Sequence, residues 1–508
     1  MEIRYRILLV ALIVMGGMNN KGYAQTEALV EHSKPGNAMN MKLYDNPAQM
    51  YCRYMHTLNN LSIGTNYSDE SKARLDEMGN GMLNGAVRVD AFIRKTPKTT
   101  IWGRAEYTNG QQRNIVYSES SDLDIVYPYL MTDSVGGDIH RETYDFTGGF
   151  AYRTGKWTIG AVGEYRALLA SRTADPRPKN LTGDLKASFG ATYDLGNWHT
   201  GLALNARKYK QTNEVKIYSE ITSPTIYHAT GLGHDYFRFR GDYSNTYYNG
   251  HGLGGLLTLS NDRCPKDNIY SVALGFDYQK VEKIITSLNE LPLAESKDYC
   301  QTAEIAKSLN DATGWGIALS EQYHCRQGYE NIFGDAVANE YPMISQTPGF
   351  RQTDITFGIR GFGQWSIGGN SQAGFNTSVS YTCMKQKYQQ LDMMKNSTLS
   401  LNVTPQLNVF DANKSIAGIL IGAIAAYDIA FDNCWEKEAE ATELPLGKAT
   451  HDRYDYLSNN RLRVGANAKL MVKANSKATL YMAVAGTLSR YAENENAKDL
   501  SLSIGLNF

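Results

Sequence analysis

Alternation of apolar and polar residues is the dominant pattern along the chain, and it predicts many β-strands. In the last ten residues, Asp499 to Phe508, every second side chain from Leu500 onward is apolar, and the side chains between are small or polar. Such period-2 alternation places the apolar side chains on one face of a strand. A final strand of this kind that ends on Phe508 is typical of a membrane barrel, in which the last strand pairs with the first and removes both sheet edges.

The same alternation recurs in segments of about 9–11 residues, the length that a tilted strand needs to cross a bilayer. In one of them Tyr270 and Tyr278 bound the apolar stripe, and tyrosines suit the two boundaries between water and lipid. Clear examples are 85–94, 185–195, 270–278, 399–409 and 462–472.

The connections between these segments alternate in length, which predicts the fold class. Short connections rich in Gly, Asn, Asp and Pro are 95–98, 154–156, 194–197, 368–370, 411–414 and 474–477. Long connections cover 109–141, 171–182, 211–246, 329–351, 386–396 and 432–454. The asymmetry predicts an all-β fold: a transmembrane antiparallel up-and-down β-barrel with short periplasmic turns and long extracellular loops. We expect roughly 16–18 strands, or about 14 if residues 297–328 form a loop folded into the barrel.

One apolar run, Ile416 to Ala426, has the composition of a helix. It is too short to span a membrane as a helix, and Asp428 interrupts it. We therefore predict a strand that carries Gly418, Gly422 and Ala426 on its lumen side.

The amino terminus has the pattern of an export signal. Arg4 and Arg6 precede the apolar run Ile7 to Met15, and Gly22-Tyr23-Ala24 supplies small residues for cleavage. We predict a signal peptide at 1–24, cleaved near Ala24, a periplasmic or lumenal extension at 25–56, and the barrel at 57–508. The predicted location is the Gram-negative outer membrane.

The extension contains a helix start signal. Asn46 is a favoured helix-capping residue, and Pro47 suits the first helical position. A short helix through Met50 and Met55 is expected, either in the mouth or lumen of the barrel or packed on its surface before the first strand.

Composition and charge narrow the function classes. The formal net charge of −1 predicts no nucleic-acid partner. The 46 glycines and 34 tyrosines fit a transmembrane barrel, although a soluble β-protein rich in tyrosine has a similar composition. The six cysteines form no Cys-x-x-Cys pair, which disfavours a zinc or redox motif. Cys300 and Cys325 are candidates for a pair on neighbouring strands, but isolated thiols are favoured.

Charged residues at alternate strand positions are the main candidate site. They suggest a mixed-charge channel or binding interior, although opposite charges that satisfy one another inside a filled lumen are the favoured interpretation. The candidate lumen-lining residues are Arg88, Asp90, Arg94, Arg104, Glu106, Glu164, Arg166, Lys186, Arg360, Arg463 and Lys469.

Two loop regions carry further candidate chemistry. The stiff sequence Asp175-Pro176-Arg177-Pro178 predicts an extracellular turn in which Arg177 pairs with a lumen carboxylate, or a purely structural corner. The other region carries histidines and aspartates that metals can bind, although their spacing fits no ligand motif and a solvated polar loop is favoured. These residues are His228, His234, Asp235, Asp242 and His251. No metal and no cofactor is predicted.

A hydrolase embedded in the barrel would need a nucleophile beside a base. His140, His199 and His324 are the candidate bases, and the sequence gives none of them an obvious serine or paired carboxylate. The predicted function is therefore non-enzymatic.

Several stretches resemble a Bacteroidota family of outer-membrane β-barrels of unknown function. They are Asn46-Pro47-Ala48, Ile101 to Tyr107, Tyr127-Pro128-Tyr129, Tyr144 to Trp157 and Thr173 to Asn180. The resemblance covers nearly the whole mature chain and implies a barrel accessory to a nutrient-uptake system, with no assigned active residues. The Asn-Pro-Ala triplet is also similar to the start of barrels of the long-chain fatty-acid transporter type.

The leading prediction is a channel or an accessory component of a nutrient-uptake complex. Its environment would be outer-membrane lipid, and its partner a TonB-dependent transporter or a surface lipoprotein. The chain itself is not expected to be a TonB-dependent transporter, which would need a barrel of about 22 strands and a large plug domain. The alternatives are a barrel for hydrophobic solutes, with an apolar lumen pocket and a broken strand, and a barrel-embedded hydrolase.

Overall fold

The computed structural model describes most of the chain. The described residues are 22–39, 41–219, 224–241, 245–261, 268–309, 313–338, 340–389, 392–411, 414–437, 445–475, 477–492 and 495–508. In these ranges no helix is long and apolar enough to cross a membrane, a finding that does not bear on membrane-crossing strands.

Eighteen antiparallel strands form one closed barrel. β1 pairs with β2 on one side and with β21 on the other, and Leu61 lies opposite Leu506. Phe508 and Asn59 exchange backbone hydrogen bonds of 3.0 and 2.9 Å. The predicted closure and fold class are confirmed, with the strand number at the upper end of the expected range. Residues 297–309 and 314–328 lie in two wall strands, so the loop considered for this region is wrong.

The wall strands are β1 (Leu58–Glu70), β2 (Gly81–Thr96), β3 (Thr99–Ile115), β5 (Gly137–Thr154), β6 (Trp157–Ser171), β7 (Arg177–Leu195), β8 (Trp198–Lys216), β11 (Asn245–Ser260), β12 (Ile269–Ile285), β13 (Leu291–Leu309), β14 (Gly314–Phe333), β15 (Met343–Gly368), β16 (Ser371–Tyr388), β17 (Asp392–Phe410), β18 (Ile416–Glu436), β19 (Arg461–Asn475), β20 (Ala478–Ala492) and β21 (Glu495–Asn507). Three short strands, β4 (Met131–Thr132), β9 (Tyr227–Gly231) and β10 (His234–Asp235), form a separate small sheet.

The outer face of the wall is apolar because alternate strand residues point outward. In β21, Leu500 and Ile504 are 53% and 57% exposed although they are large and apolar. Aromatic residues lie at both borders of this belt. The pair Trp157–Tyr193 lies at one border, with 4.7 Å between ring centroids, and Tyr278–Tyr299 lies at the other, with 5.1 Å. Such a belt with aromatic borders suits a bilayer.

Most of the short turns lie at one end of the barrel, here called the turn end, and most of the longer connections lie at the other, the loop end. The turns between β2 and β3, β5 and β6, and β7 and β8 are two residues long, as the sequence predicts. Several loops are shorter than expected, because strands continue beyond the apolar belt. The clearest cases are the predicted loops 171–182 and 386–396, which shrink to 172–176 and 389–391.

The apolar run that begins at Ile416 forms β18, as predicted. Ile421 and Tyr427 are exposed on the outer face. Because side chains alternate, Gly418, Gly422 and Ala426 lie on the lumen face.

The amino-terminal segment, residues 26–56, lies inside the barrel at the turn end. Helix α1 (Gly22–His32) continues across the predicted cleavage site, and residues 1–21 of the predicted signal peptide lie outside the described residues. Three 3-10 helices, Pro35–Ala38, Met41–Asp45 and Gln49–Cys52, follow. The short helix expected after Asn46 is thus a single 3-10 turn.

Candidate functional site

The first group of predicted charges lies together on the lumen face of β2 and β3. Arg88 donates hydrogen bonds of 2.5 and 3.1 Å to the carboxylate of Asp90. Arg104 donates to the same carboxylate at 2.8 Å, and Glu106 lies 3.9 Å from Arg88. Opposite charges here largely satisfy one another, which agrees with the favoured interpretation of the sequence.

A second group joins the wall to a loop. Arg166 forms a bidentate pair with Asp122, with two distances of 2.8 Å, and the hydroxyl of Tyr209 donates to Asp122 at 3.0 Å. Asp184 also accepts hydrogen bonds from Arg207 at 2.9 and 2.6 Å. Only Arg166 of this group was a candidate from the sequence. Alternation would have placed Asp184 and Arg207 on the lumen face, but Asp122 lies in a predicted solvent loop.

The remaining wall candidates are more dispersed. Arg360 forms an ion pair with Glu304, and the ammonium of Lys469 lies 3.8 Å from the centroid of the Tyr481 ring. The other three, Glu164, Lys186 and Arg463, form no ion pair with any residue in the described ranges.

The loop end of the lumen is covered by a structure here called the cap: residues 116–136, residues 227–241 and helix α3 (Pro445–Ser458). Residues 116–136 include helix α2 (Leu123–Val126) and the strand β4, which pairs with β9. Leu446 and Ala449 of α3 pack against Tyr117 and Leu130 in an apolar cluster. The cap is therefore a folded layer inside the barrel mouth.

Lumen side chains hold the cap through its backbone. The buried Lys283 donates to the carbonyl of Leu130 at 2.7 Å. Arg326 donates to the carbonyls of Asp124 and Tyr127 at 2.7 and 2.9 Å. Arg326 is itself fixed by Asp298 at 2.6 Å. Charged wall residues thus bind this loop instead of lining an open passage.

A buried charge cluster anchors the base of the cap. Arg172 donates to Glu119 at 2.6 Å and to Asp133 at 2.8 Å, and all three side chains are at most 1% exposed. Burial and the neighbouring Asp133 hold the pKa of Glu119 well above its usual value. Burial alone would raise the pKa of Asp133, but hydrogen bonds from Glu119, Arg172 and the Gly136 N–H lower it.

The predicted loop motif lies beside this cluster. Asp175 and Pro176 end the connection between β6 and β7, and Arg177 and Pro178 begin β7. Arg177 donates to Asp175 at 2.6 Å and not to a lumen carboxylate, so that prediction is wrong and the structural alternative holds. The arginine that reaches buried carboxylates is Arg172, which no local pattern marked.

The histidine-rich loop is part of the cap and not a solvated loop. His228 is fully buried, and His234 forms a 2.5 Å contact with the buried Asp392. Burial of Phe239 with Phe333 explains why the loop folds inward. Asp242 lies outside the described residues, and the described part of the chain contains no group of three or more metal-binding side chains.

At the turn end, the amino-terminal segment fits a cradle of glycines. Asn46 and Pro47 lie so close to the wall that a Cβ at Gly160 would be 2.5 Å from the carbonyl carbon of Pro47. A Cβ at Gly190 would be 2.0 Å from Oδ1 of Asn46. The Asn-Pro-Ala triplet is thus a docking element that needs small residues opposite it.

Further contacts hold both ends of this segment. The predicted lumen residue Arg94 donates to the carbonyl of Tyr51 and lies 5.0 Å from the centroid of its ring. Glu31 accepts from the backbone N–H groups of Met55 and His56 at 2.7 and 2.9 Å. The segment, residues 26–56, therefore lies across the turn end of the lumen and is here called the plug. Of the two positions expected for it, this is the one inside the barrel.

Between plug and wall, a cavity of about 140 Å³ opens beside β15, β16 and β17. Its lining is mainly amide, hydroxyl and small groups, with Arg360 at one side and Met39 of the plug at the other. It has room for a few waters or a small polar group.

Cys300 and Cys325, the candidate disulfide pair, are not bonded to each other. Cys300 lies opposite His324 in the sheet and faces the lumen, whereas Cys325 lies opposite Tyr299 and faces outward. Both are free thiols, as are Cys383 and Cys434. Cys52 of the plug is disulfide-bonded.

The candidate bases His199 and His324 have carboxylate neighbours, and the free thiol of Cys300 lies opposite His324 in the sheet. His199 lies 2.7 Å from Asp194 at the turn end, and His324 lies between Asp298 and Asp354 at 2.8 and 3.0 Å. Ser260 lies opposite His199 in the sheet pairing, but it is fully buried.

Comparison with known proteins assigns the family. The model of a family of unknown function, DUF6850, matches residues 47–508. The chain belongs to this family. The match begins at Pro47, inside the Asn-Pro-Ala triplet that docks into the glycine cradle, and spans the whole barrel. A search of curated protein sequences finds no match.

Solved structures with a general similarity include two receptors and one outer membrane transporter. They are the ferric preacinetobactin receptor BauA of Acinetobacter baumannii (9% identity, TM-score 0.38, 89% of this chain and 80% of that chain covered), the siderophore receptor PiuA of the same species (8%, 0.38, 88% and 82%) and the outer membrane transporter YddB of Escherichia coli (9%, 0.38, 88% and 81%). The barrel assignment rests on the strand pairing of this chain.

Proposed function

We propose that this protein is a non-enzymatic outer-membrane barrel that serves as an accessory component of a nutrient-uptake complex. In this arrangement the turn end faces the periplasm and the loop end faces the exterior. The observation that carries the proposal is the double obstruction of the lumen, by the plug at one end and the cap at the other. In a constitutively open channel, water would hydrate the charged side chains of the lumen. Here Arg166, Lys283 and Arg326 bind the cap instead.

The strand number and the plug also separate this chain from a TonB-dependent transporter. Transporters of that class have about 22 strands around a plugged lumen. This barrel has 18 strands, and its plug is a single extended segment with short helices. We infer that it acts beside a transporter or a surface lipoprotein. The Bacteroidota origin and the signal-peptide cleavage stay predictions.

The test is affinity recovery of the tagged full chain from outer membranes, followed by mass spectrometry and planar-bilayer recording of the same sample. We expect a stoichiometric protein partner and no steady conductance. Recovery of the barrel alone, together with a stable open conductance, would contradict the accessory role and support a channel.

A transporter of hydrophobic solutes is the second candidate, because one strand pair in the belt is interrupted. Pairing of β17 with β18 stops after Val403↔Ala425 and resumes at Gln406↔Gly422 in the same register. Pro405 lies in the gap and has no N–H to donate. The cavity behind the gap includes Thr404 and is lined by polar groups, so the apolar pocket that this function requires is not found there.

The second candidate predicts that closing the gap stops lateral exit of solute. Pro405→Val restores the backbone donor without adding charge. Transfer of oleate into lipid vesicles that contain the barrel should then fall severalfold if the gap is an exit. Equal transfer by the variant and the natural chain would remove this candidate.

A further inference from the structure

The β14–β15 hairpin projects well beyond the rim of the barrel. β15 is 26 residues long, whereas a membrane crossing needs about 9–11. Its pairing with β14 continues to Met343, but its pairing with β16 begins only at Phe350. Residues 343–347 are therefore a strand edge, and no residue in the described ranges pairs with their outer side.

This edge is exposed and begins with two apolar side chains. Met343 and Ile344 are 58% and 68% exposed, and Ile332 of β14 is 46% exposed. Edges are normally blunted by charged side chains or proline. Residues 343–347 contain neither, although Pro342 precedes them and Pro348 follows them.

We propose that this edge binds an extended segment of a separate surface protein by strand addition. Alternate residues of an edge strand direct both N–H and C=O away from their partner strand, which leaves a ladder ready for a further strand. Met343 and Ile344 would contact apolar side chains of the added segment. The added strand would extend the hairpin sheet above the membrane.

A second copy of the chain does not fit this edge. Two barrels in one membrane have the same orientation, so a twofold axis between them must run along the membrane normal. Barrel strands are tilted about 35–45° from that normal. Rotation about the normal therefore leaves the two edges crossed at a large angle, neither antiparallel nor parallel. The bound segment must come from a different protein.

The charge around the edge defines the segment further. Three exposed carboxylates lie near the tip of the hairpin: Asp335, Glu340 and Glu290. Asn289, next to Glu290, donates a 3.5 Å hydrogen bond to Glu340. Arg238 is already paired with Asp335 at 3.0 Å. An acidic surface beside an apolar edge favours a segment with alternating apolar residues flanked by Lys or Arg.

The inference rests on the accessory role and adds its contact surface. To test it, a photo-crosslinking amino acid replaces Met343 in the full chain expressed in its own outer membrane, and cross-links are mapped by mass spectrometry. The matched variants are Ile344→Lys, on the edge, and Val337→Lys, equally apolar and 70% exposed at the hairpin tip. Heat-dependent electrophoretic migration verifies that each barrel is folded.

We expect a cross-link to an extended segment of one other protein, reduced about tenfold or more by Ile344→Lys and changed by less than about twofold by Val337→Lys. A partner that is retained equally by both variants, or a cross-linked pair of this chain, would overturn the strand-addition proposal and leave the accessory role intact. Failure to recover any partner, by cross-linking or by affinity, would overturn both.

Discussion

At the scale of single residues, the cap depends on Arg172. Its guanidinium is fully buried between Glu119 and Asp133, and its Nε donates to the carbonyl of Pro176 at 2.6 Å. Removing one member of a buried charge cluster leaves the other charges buried without an opposite charge. The resulting loss of stability exceeds the net stabilisation that the intact cluster provides.

Arg172→Leu should therefore release residues 116–136. We expect the free energy that holds this loop closed to fall by about 3–5 kcal/mol. Hydrogen exchange of the loop amides measures the change. The control is Arg177→Leu, five residues along the chain and largely exposed, which should alter exchange little. Equal effects of the two variants would contradict the anchoring role of Arg172.

The same cluster predicts a pH dependence of the cap. The pKa of Glu119 is raised on folding, so its stabilising contribution is complete below the unfolded value of about 4.3 and is lost as pH rises through the folded pKa. The pKa of Asp133 is lowered, so its contribution is present above about 3.9 and is lost on acidification. After correction for the intrinsic, base-catalysed exchange rate, the protection factors of residues 116–136 should fall toward alkaline pH.

Glu119→Gln isolates the alkaline effect, because an amide keeps the size and cannot ionise. The protection factors of the cap in this variant should be nearly independent of pH above neutrality. A loss of protection at alkaline pH that persists in the variant would show that another group causes it.

At the scale of elements, the plug and its glycine cradle fit each other sterically. Alternation predicts that Gly160 and Gly190 lie in strands, but not that an incoming segment approaches them. The sequence marks Asn46-Pro47-Ala48 as a helix start because capping patterns are local. The long-range contact with β6 and β7 decides the conformation instead, which no local pattern contains.

Gly160→Ala should displace the plug. Its new Cβ would meet backbone atoms of Pro47 and Ala48 at 2.5–2.6 Å, and backbone cannot move aside as a side-chain end can. We expect faster proteolysis of residues 26–56 in the folded barrel. Gly163→Ala is the control in the same strand, since nothing lies within 4 Å of its added Cβ. Unchanged proteolysis of Gly160→Ala would contradict the docking geometry.

At the scale of the whole molecule, the barrel follows from periodicity alone. Period-2 segments, short turns and an apolar last strand suffice to predict closure, because each is a local consequence of strand geometry. The loops differ because their burial depends on distant partners. Glu119 and Asp122 look like solvent residues in the sequence. Glu119 is nevertheless held by Arg172, just after β6, and Asp122 by Arg166 of the wall.

The stability of the barrel should depend on which face of β21, the strand that pairs with β1, receives an added charge. Leu502→Arg places a cation on the outer face and should destabilise the folded barrel by about 2–4 kcal/mol. Ser501→Arg places it on the lumen face and should cost much less. Urea unfolding of each variant in lipid vesicles measures the difference. Equal losses would contradict the assignment of the outer face to lipid.

The central claim is that plug and cap together close the lumen. Single-channel recording of the purified full chain in planar bilayers tests it most directly, with Gly160→Ala and Arg172→Leu combined as the opened reference. We predict a silent bilayer for the natural chain and stepwise conductance for the double variant. Steady, ohmic steps of the natural chain, equal to those of the double variant, would contradict the account.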